Sequence, residues 1–143
     1  MSPLGPMRTS AALRVRVFDL VCHERDVRAA TDRLDGLTGP HVELGVEQSL
    51  RAWARSAPAR VEGGTSIGFD VDGHPPAVLD LSAGELHRDP AAATTAHATV
   101  HLTPAQVLAI AGGRDDAPDA DLLTVEGDET LVRRFLAVAG VTP

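Results

Sequence analysis

Asp19 and His23 are the residues whose types and spacing best suit them to chemistry. They stand four apart in the stretch Val17-Phe18-Asp19-Leu20-Val21-Cys22-His23-Glu24-Arg25-Asp26-Val27. At about 100° per residue, a helix puts both on one face a turn apart, with Asp26 following on the same side. A carboxylate and an imidazole so disposed suit a divalent cation, Zn²⁺ first among them. Two ligands fall short of the usual catalytic zinc site, and of the remaining imidazoles His41, on the next helix, is the candidate to approach it. Cys22 is adjacent to His23, but neighbours on a helix diverge by about 100°, so the pair reads as a buried thiol beside an imidazole rather than a nucleophile and its base.

The other histidines are scattered. His97 and His101 share a strand face but lie ~13 Å apart along it, too far to chelate one ion. His74, beside Pro75-Pro76, reads as a turn residue and His87 as a loop residue. The sequence contains no GxSxG, Walker loop, GxGxxG or HExxH pattern.

The Asp19/His23 pair needs a helix from about Thr9 to Thr31. Around it Leu13, Val15, Val17, Phe18, Leu20, Val21 and Cys22 leave few directions free of apolar side chains. Such a helix is expected to be buried, its polar sector either satisfied by partners or used as a site. Met1 to Arg8, with two Pro and one Gly, reads as a loop or frayed end. A second helix starts near Pro40, carries Val42, Val46, Leu50 and Trp53 as one stripe, and ends before Pro58.

Beyond Arg60 the period changes. Ile67, Phe69 and Val71 alternate with polar residues, Asp72-Gly73 marks a turn, and Ala77, Leu79 and Leu81 answer as a second strand. A short third strand fits Glu85 to Arg88, and Ala98, Val100 and Leu102 alternate again. Thr103, Pro104 and Gln106 spell a capping box with Pro in the first turn, so a helix runs from there to Gly112-Gly113. An acidic loop (114–121), a last strand from Leu122 to Val125 and an amphipathic helix after Gly127-Asp128-Glu129 close the chain. The expected fold is α+β: an N-terminal helical pair, residues 1–58, followed by a small antiparallel sheet with helices on one face, residues 59–143.

Composition narrows the function classes. With 143 residues and 43% hydrophobic content the chain is long enough for a real core. No apolar run reaches the ~18–20 residues that span a bilayer, and the N-terminus lacks a signal peptide's pattern, so the expected location is cytoplasmic. One Cys excludes an internal disulfide framework. A net charge of −7, with one Trp, three Phe and no Tyr, argues against nucleic acid. The absence of Lys and Asn beside abundant Ala, Asp, Gly and Val suggests GC-rich coding DNA of the actinobacterial kind.

The stretch Arg16-Val17-Phe18-Asp19-Leu20-Val21-Cys22-His23-Glu24-Arg25-Asp26-Val27, with Gly5-Pro6-Met7 ahead of it, resembles the end of the DinB-like metal-binding bundle of mycothiol-dependent maleylpyruvate isomerase-like proteins. Their pattern of an acid, a His four residues on and an Asp three further matches Asp19, His23 and Asp26, though the family usually has Glu where Asp19 stands. Leu102-Thr103-Pro104, Gly112-Gly113-Arg114 and Val125-Glu126-Gly127-Asp128 resemble that family's sterol-carrier-protein-like C-terminal domain. The resemblance implies a divalent metal at Asp19 and His23, with mycothiol attacking a metal-polarised unsaturated acid and cis–trans isomerisation following. It implies Arg114 as a contact for the substrate carboxylate, with Arg133 and Arg134 competing for that role. The bundle's earlier helices, including one that supplies a His ligand, have no counterpart here. The chain thus reads as a family member beginning at the last bundle helix, completed by a homodimer or a missing bundle partner along residues 9–31. The alternative is a non-catalytic sterol-carrier-like binding or interaction module.

Overall fold

The structure, a computed structural model, describes residues 9–57, 60–61, 65–89 and 94–141. The expected loop over Met1 to Arg8 lies outside the described residues. The fold is α+β with an N-terminal helical pair. Helix α1 runs Thr9–Ala30 and α2 Pro40–Ser56, joined across a 3₁₀ turn at Leu34–Gly36. Strands β1 (Ser66–Val71), β2 (Ala77–Asp80), β3 (Glu85–His87) and β4 (Ala98–Leu102) follow, then α3 (Pro104–Ala111), β5 (Thr124–Gly127) and α4 (Glu129–Leu136).

Local chemistry sets these boundaries. Pro40 opens α2 with its φ already helical, and Val42, Val46, Leu50 and Trp53 form its buried side. Thr103 Oγ1 accepts from the Gln106 amide while Gln106 Oε1 accepts from the Thr103 amide, the reciprocal box expected from Thr103, Pro104 and Gln106. Asp128 caps α4 by accepting from the Leu131 amide.

The sheet order is β3-β2-β1-β4-β5. It is mixed rather than antiparallel throughout, because β1 and β4 pair in parallel from Ile67↔Ala98 to Val71↔Leu102. Strands β1 to β3 form a meander growing to one side of β1, and β4 takes the free side after the chain crosses back. Alternation marks which face a side chain takes and is blind to strand direction. Two further boundaries shift. His87 lies in β3, as the expected strand from Glu85 to Arg88 has it and not as a loop residue, and β5 begins at Thr124 because a second 3₁₀ turn takes Ala120–Leu122 first.

One face of the sheet, with Ile67, Phe69, Val71, Leu79, Val100 and Leu102, is buried beneath the helices. Trp53 of α2, Phe69 of β1 and Phe135 of α4 meet at its centre with ring centroids 5.2–5.5 Å apart. Trp53 Nε1 also donates to the Ala139 carbonyl at 2.7 Å, so one residue links the helical pair, the sheet and the C-terminal helix. The helical pair and the α+β unit share one core. Where α1, α2 and α3 converge, Gly45 permits the contact: a Cβ there would lie 3.1 Å from Val21 Cγ1 and 3.2 Å from Leu108 Cδ2.

Candidate functional site

Helix α1 is covered on one side only. Phe18, Val21, Cys22 and Arg25, at the i, i+3, i+4, i+7 spacing of a single stripe, are buried. On the far side Leu13, Leu20 and Val27 are 61%, 65% and 66% exposed. The expectation of a helix buried all round is therefore corrected: among the described residues nothing covers this apolar stripe. Asp19 and His23 stand beside it, their side chains 50% and 67% exposed, facing outward rather than into the core.

His23 Nε2 lies 3.6 Å from Asp19 Oδ1, and Arg16 Nη1 lies 3.7 Å from Asp19 Oδ2. Ligand atoms about 2.0–2.1 Å from a tetrahedral zinc lie roughly 3.3–3.4 Å apart, so this pair needs only a small adjustment to share one cation. The donors fit a divalent metal in kind and spacing and supply two ligands. Among the described residues no group of three or more His, Cys, Asp or Glu side chains converges on one point. His41 does not approach this pair, because its Nε2 meets Glu24 Oε2 at 2.8 Å. Glu24 also accepts from Arg28 Nε, and that bond leads in holding its carboxyl below the usual range.

Asp26, third in the acid–His–Asp pattern, is held by Arg114: Nε donates to Oδ1 at 3.1 Å and Nη2 lies 2.9 Å from Oδ2. Arg114 Nη1 donates to the Gly112 carbonyl at 3.0 Å. The residue expected to contact a substrate carboxylate thus already holds one, and its pKa is raised chiefly by that hydrogen bond. A second clamp runs the other way. Arg25, 5% exposed, donates through Nη1 and Nη2 to both oxygens of Asp116 at 2.7 and 2.6 Å. Arg25 is the main cause of the lowered Asp116 pKa. One Arg–Asp pair has its cation on α1 and the other on the loop after α3, so the two tie the same elements with opposite charge sense.

Sequence reasoning missed Arg25 and Asp116. The signal for Arg25 was present, since it completes the Phe18, Val21, Cys22 stripe; Asp116 lay in an acidic loop with nothing to distinguish it from its neighbours. Cys22 is buried between the clamps, and burial pushes its thiol up to about 11, so it is a core thiol without thiolate character at neutral pH.

The remaining imidazoles lie elsewhere. On the open face of the sheet His101 Nδ1 is 3.0 Å from Asp70 Oδ2 and Nε2 is 3.4 Å from Glu126 Oε1. His97 Nδ1 contacts Ser66 Oγ at 3.1 Å. A groove of about 710 Å³ runs between the 3₁₀ turn after α1 and the start of α3, with Leu37, Thr103, Gln106 and the Arg25–Asp116 clamp in its walls. Asp19 and His23 are not part of it. No helix among the described residues is long and apolar enough to cross a membrane. Comparison with protein-family models, curated proteins and solved structures finds no match to this chain.

Proposed function

We propose that this chain is a cytoplasmic protein of the mycothiol-dependent maleylpyruvate isomerase type, contributing Asp19 and His23 to a divalent-metal centre, zinc first, that acts on small unsaturated acids. The observation that carries the reading is the convergence of Asp19 Oδ1 and His23 Nε2 to 3.6 Å on the one face of α1 that also exposes Leu13, Leu20 and Val27. In this reading the exposed leucines and the two ligands belong to a single surface that other helices cover. The resemblance assigns polarisation of the acid to the cation and the attacking thiol to mycothiol. Arg114 serves as a positioning residue: its hold on Asp26 ties α1 to the loop after α3.

A second reading, a non-catalytic interaction module, is favoured by the same exposed stripe taken without its ligands. Zinc titration of the purified chain separates the two. The first reading expects zinc uptake that His23→Ala weakens by about tenfold or more, measured by calorimetry and metal analysis. Equal uptake by the wild type and the variant removes the metal centre and leaves the interaction module.

A further inference from the structure

We propose that residues 113–118, the loop after α3, form a strap that opens as a unit while the rest of the fold stays closed, and that its opening uncovers Cys22. The chain then carries one thiol kept from solvent by charge pairs as well as by the core.

The strap has little else to hold it. No residue from Gly113 to Pro118 is buried. Ala117 supplies some apolar packing against the core. The strap stands between two grooves: Asp116 and Pro118 border the one of about 710 Å³, and Arg114, Ala117 and Pro118 border another of about 640 Å³. A segment with so few buried contacts opens at a lower free energy than the whole fold. Its backbone bonds stay within the turn or run to the end of α3: Gly113 donates to Ile110, Arg114 to Ala109 and Ala117 to Arg114. Among the described residues, the hydrogen bonds that join it to α1 are those of the two clamps, Arg25 to Asp116 and Arg114 to Asp26. Gly113, at φ +59°, gives the strap a hinge where it leaves α3.

Cys22 lies beside both clamps. It precedes Arg25 by three residues and Asp26 by four, so all three share one face of α1 within a turn. The thiol is 3% exposed, and of the charges that act on it Arg114 leads and Asp26 follows. Breaking the clamps frees the strap from the face on which the thiol sits. Burial, the largest influence on the thiol, pushes it up to about 11; opening relieves that burial, and more of the thiol ionises at neutral pH.

Cys22 is the only cysteine of the chain, so thiol labelling reads the opening directly. The probe is dithiodipyridine, an uncharged disulfide. The Cys22 thiolate attacks one sulfur, the S–S bond breaks, one thiopyridone leaves, and Cys22 remains as the mixed disulfide. The rate on the full chain at neutral pH is divided by the rate on the urea-unfolded chain in the same salt, which removes the salt dependence of the reaction itself. The expected rate ratio is flat in urea below the unfolding transition, because a short strap exposes little surface. It rises about fivefold or more in molar sodium chloride, and by a similar factor in Asp116→Asn and in Asp26→Asn. The salt arm needs no variant, and circular dichroism shows that each variant is folded. A rate that climbs with urea along the slope of global unfolding overturns the strap, since Cys22 is then reached only in the unfolded chain. A flat rate indifferent to salt, or to both substitutions in folded variants, overturns it as well, since some other opening then uncovers the thiol. Labelling of the wild type as fast as the unfolded chain also overturns it, since nothing then covers Cys22.

Discussion

The Asp26–Arg114 clamp offers a measurement that separates holding α1 in place from being free to bind a ligand. The perturbation is a double-mutant cycle, Asp26→Ala, Arg114→Ala and both together. The contact is bidentate, at 3.1 and 2.9 Å, with the Arg114 side chain 29% and the Asp26 side chain 36% exposed. Unit charges ~4 Å apart interact by about 4 kcal/mol at an effective dielectric near 20. With both partners about a third exposed, solvent screening and side-chain entropy reduce this well below that figure, towards the range of surface pairs. A coupling of about 1 kcal/mol is expected. Each single change should cost about 1.5–2 kcal/mol, because a half-buried partner is left unpaired, and the double should cost about 1 kcal/mol less than their sum. Urea unfolding followed by far-UV circular dichroism, and by the fluorescence of fully buried Trp53, reads this directly. With a slope of about 2 kcal/mol/M, each single shifts the midpoint by roughly 0.8–1 M. A coupling under about 0.3 kcal/mol, within the scatter of independent sites, would refute the structural role and leave the guanidinium free for a carboxylate from outside.

Further outcomes follow from the same packing. Trp53→Phe orphans the buried Ala139 carbonyl and shrinks the aromatic centre, and should lower unfolding free energy by about 2–4 kcal/mol in the same urea assay. Gly127 sits at φ +88°, and a Cβ there would come within 2.4 Å of the His97 carbonyl oxygen, so Gly127→Ala should destabilise by about 1–3 kcal/mol and lower the melting temperature by several degrees. Asp116 has its pKa lowered by Arg25, so its stabilising contribution is complete above the unfolded carboxylate's pKa and is lost as pH falls through the folded one. Stability of the wild type should therefore fall below about pH 4, and Arg25→Met should show a flatter acid limb in thermal melts.

Most element positions were legible because they are written in local chemistry. The Thr103-Pro104-Gln106 box, Pro40 at the head of α2 and the alternation of Ile67, Phe69 and Val71 each act within a few residues, and each appears where its pattern lies. What escaped depends on partners distant in sequence. The parallel pairing of β1 with β4 joins Ile67 to Ala98, and no local pattern encodes that direction. Arg25 bonds Asp116 across 91 positions, and Asp26 bonds Arg114 across 88. The apolar girth of α1 was read correctly, but its burial was not. A hydrophobic surface specifies that something should cover it, not that the same chain supplies the cover.

The direction in which α1 faces matters more for the candidate site than its helicity does. A rotation of about 100°, one residue's worth, would carry His23 towards the core and bring Leu20 or Val27 with it. Three sets of contacts oppose that rotation. Phe18, Val21 and Cys22 sit in the core, with Val21 closing on α2 where Gly45 leaves space for it. Arg25, within the buried stripe, and Asp26, at its edge, bond Asp116 and Arg114, two points of one loop, so turning the helix breaks both clamps. Glu24 adds a bond to His41 on α2. The helix is fastened by this buried stripe and by charged groups with Leu13, Leu20 and Val27 outside. Fixing apolar residues in water has an energetic cost that the monomer does not recover, and occupation of that face by another helix would return it.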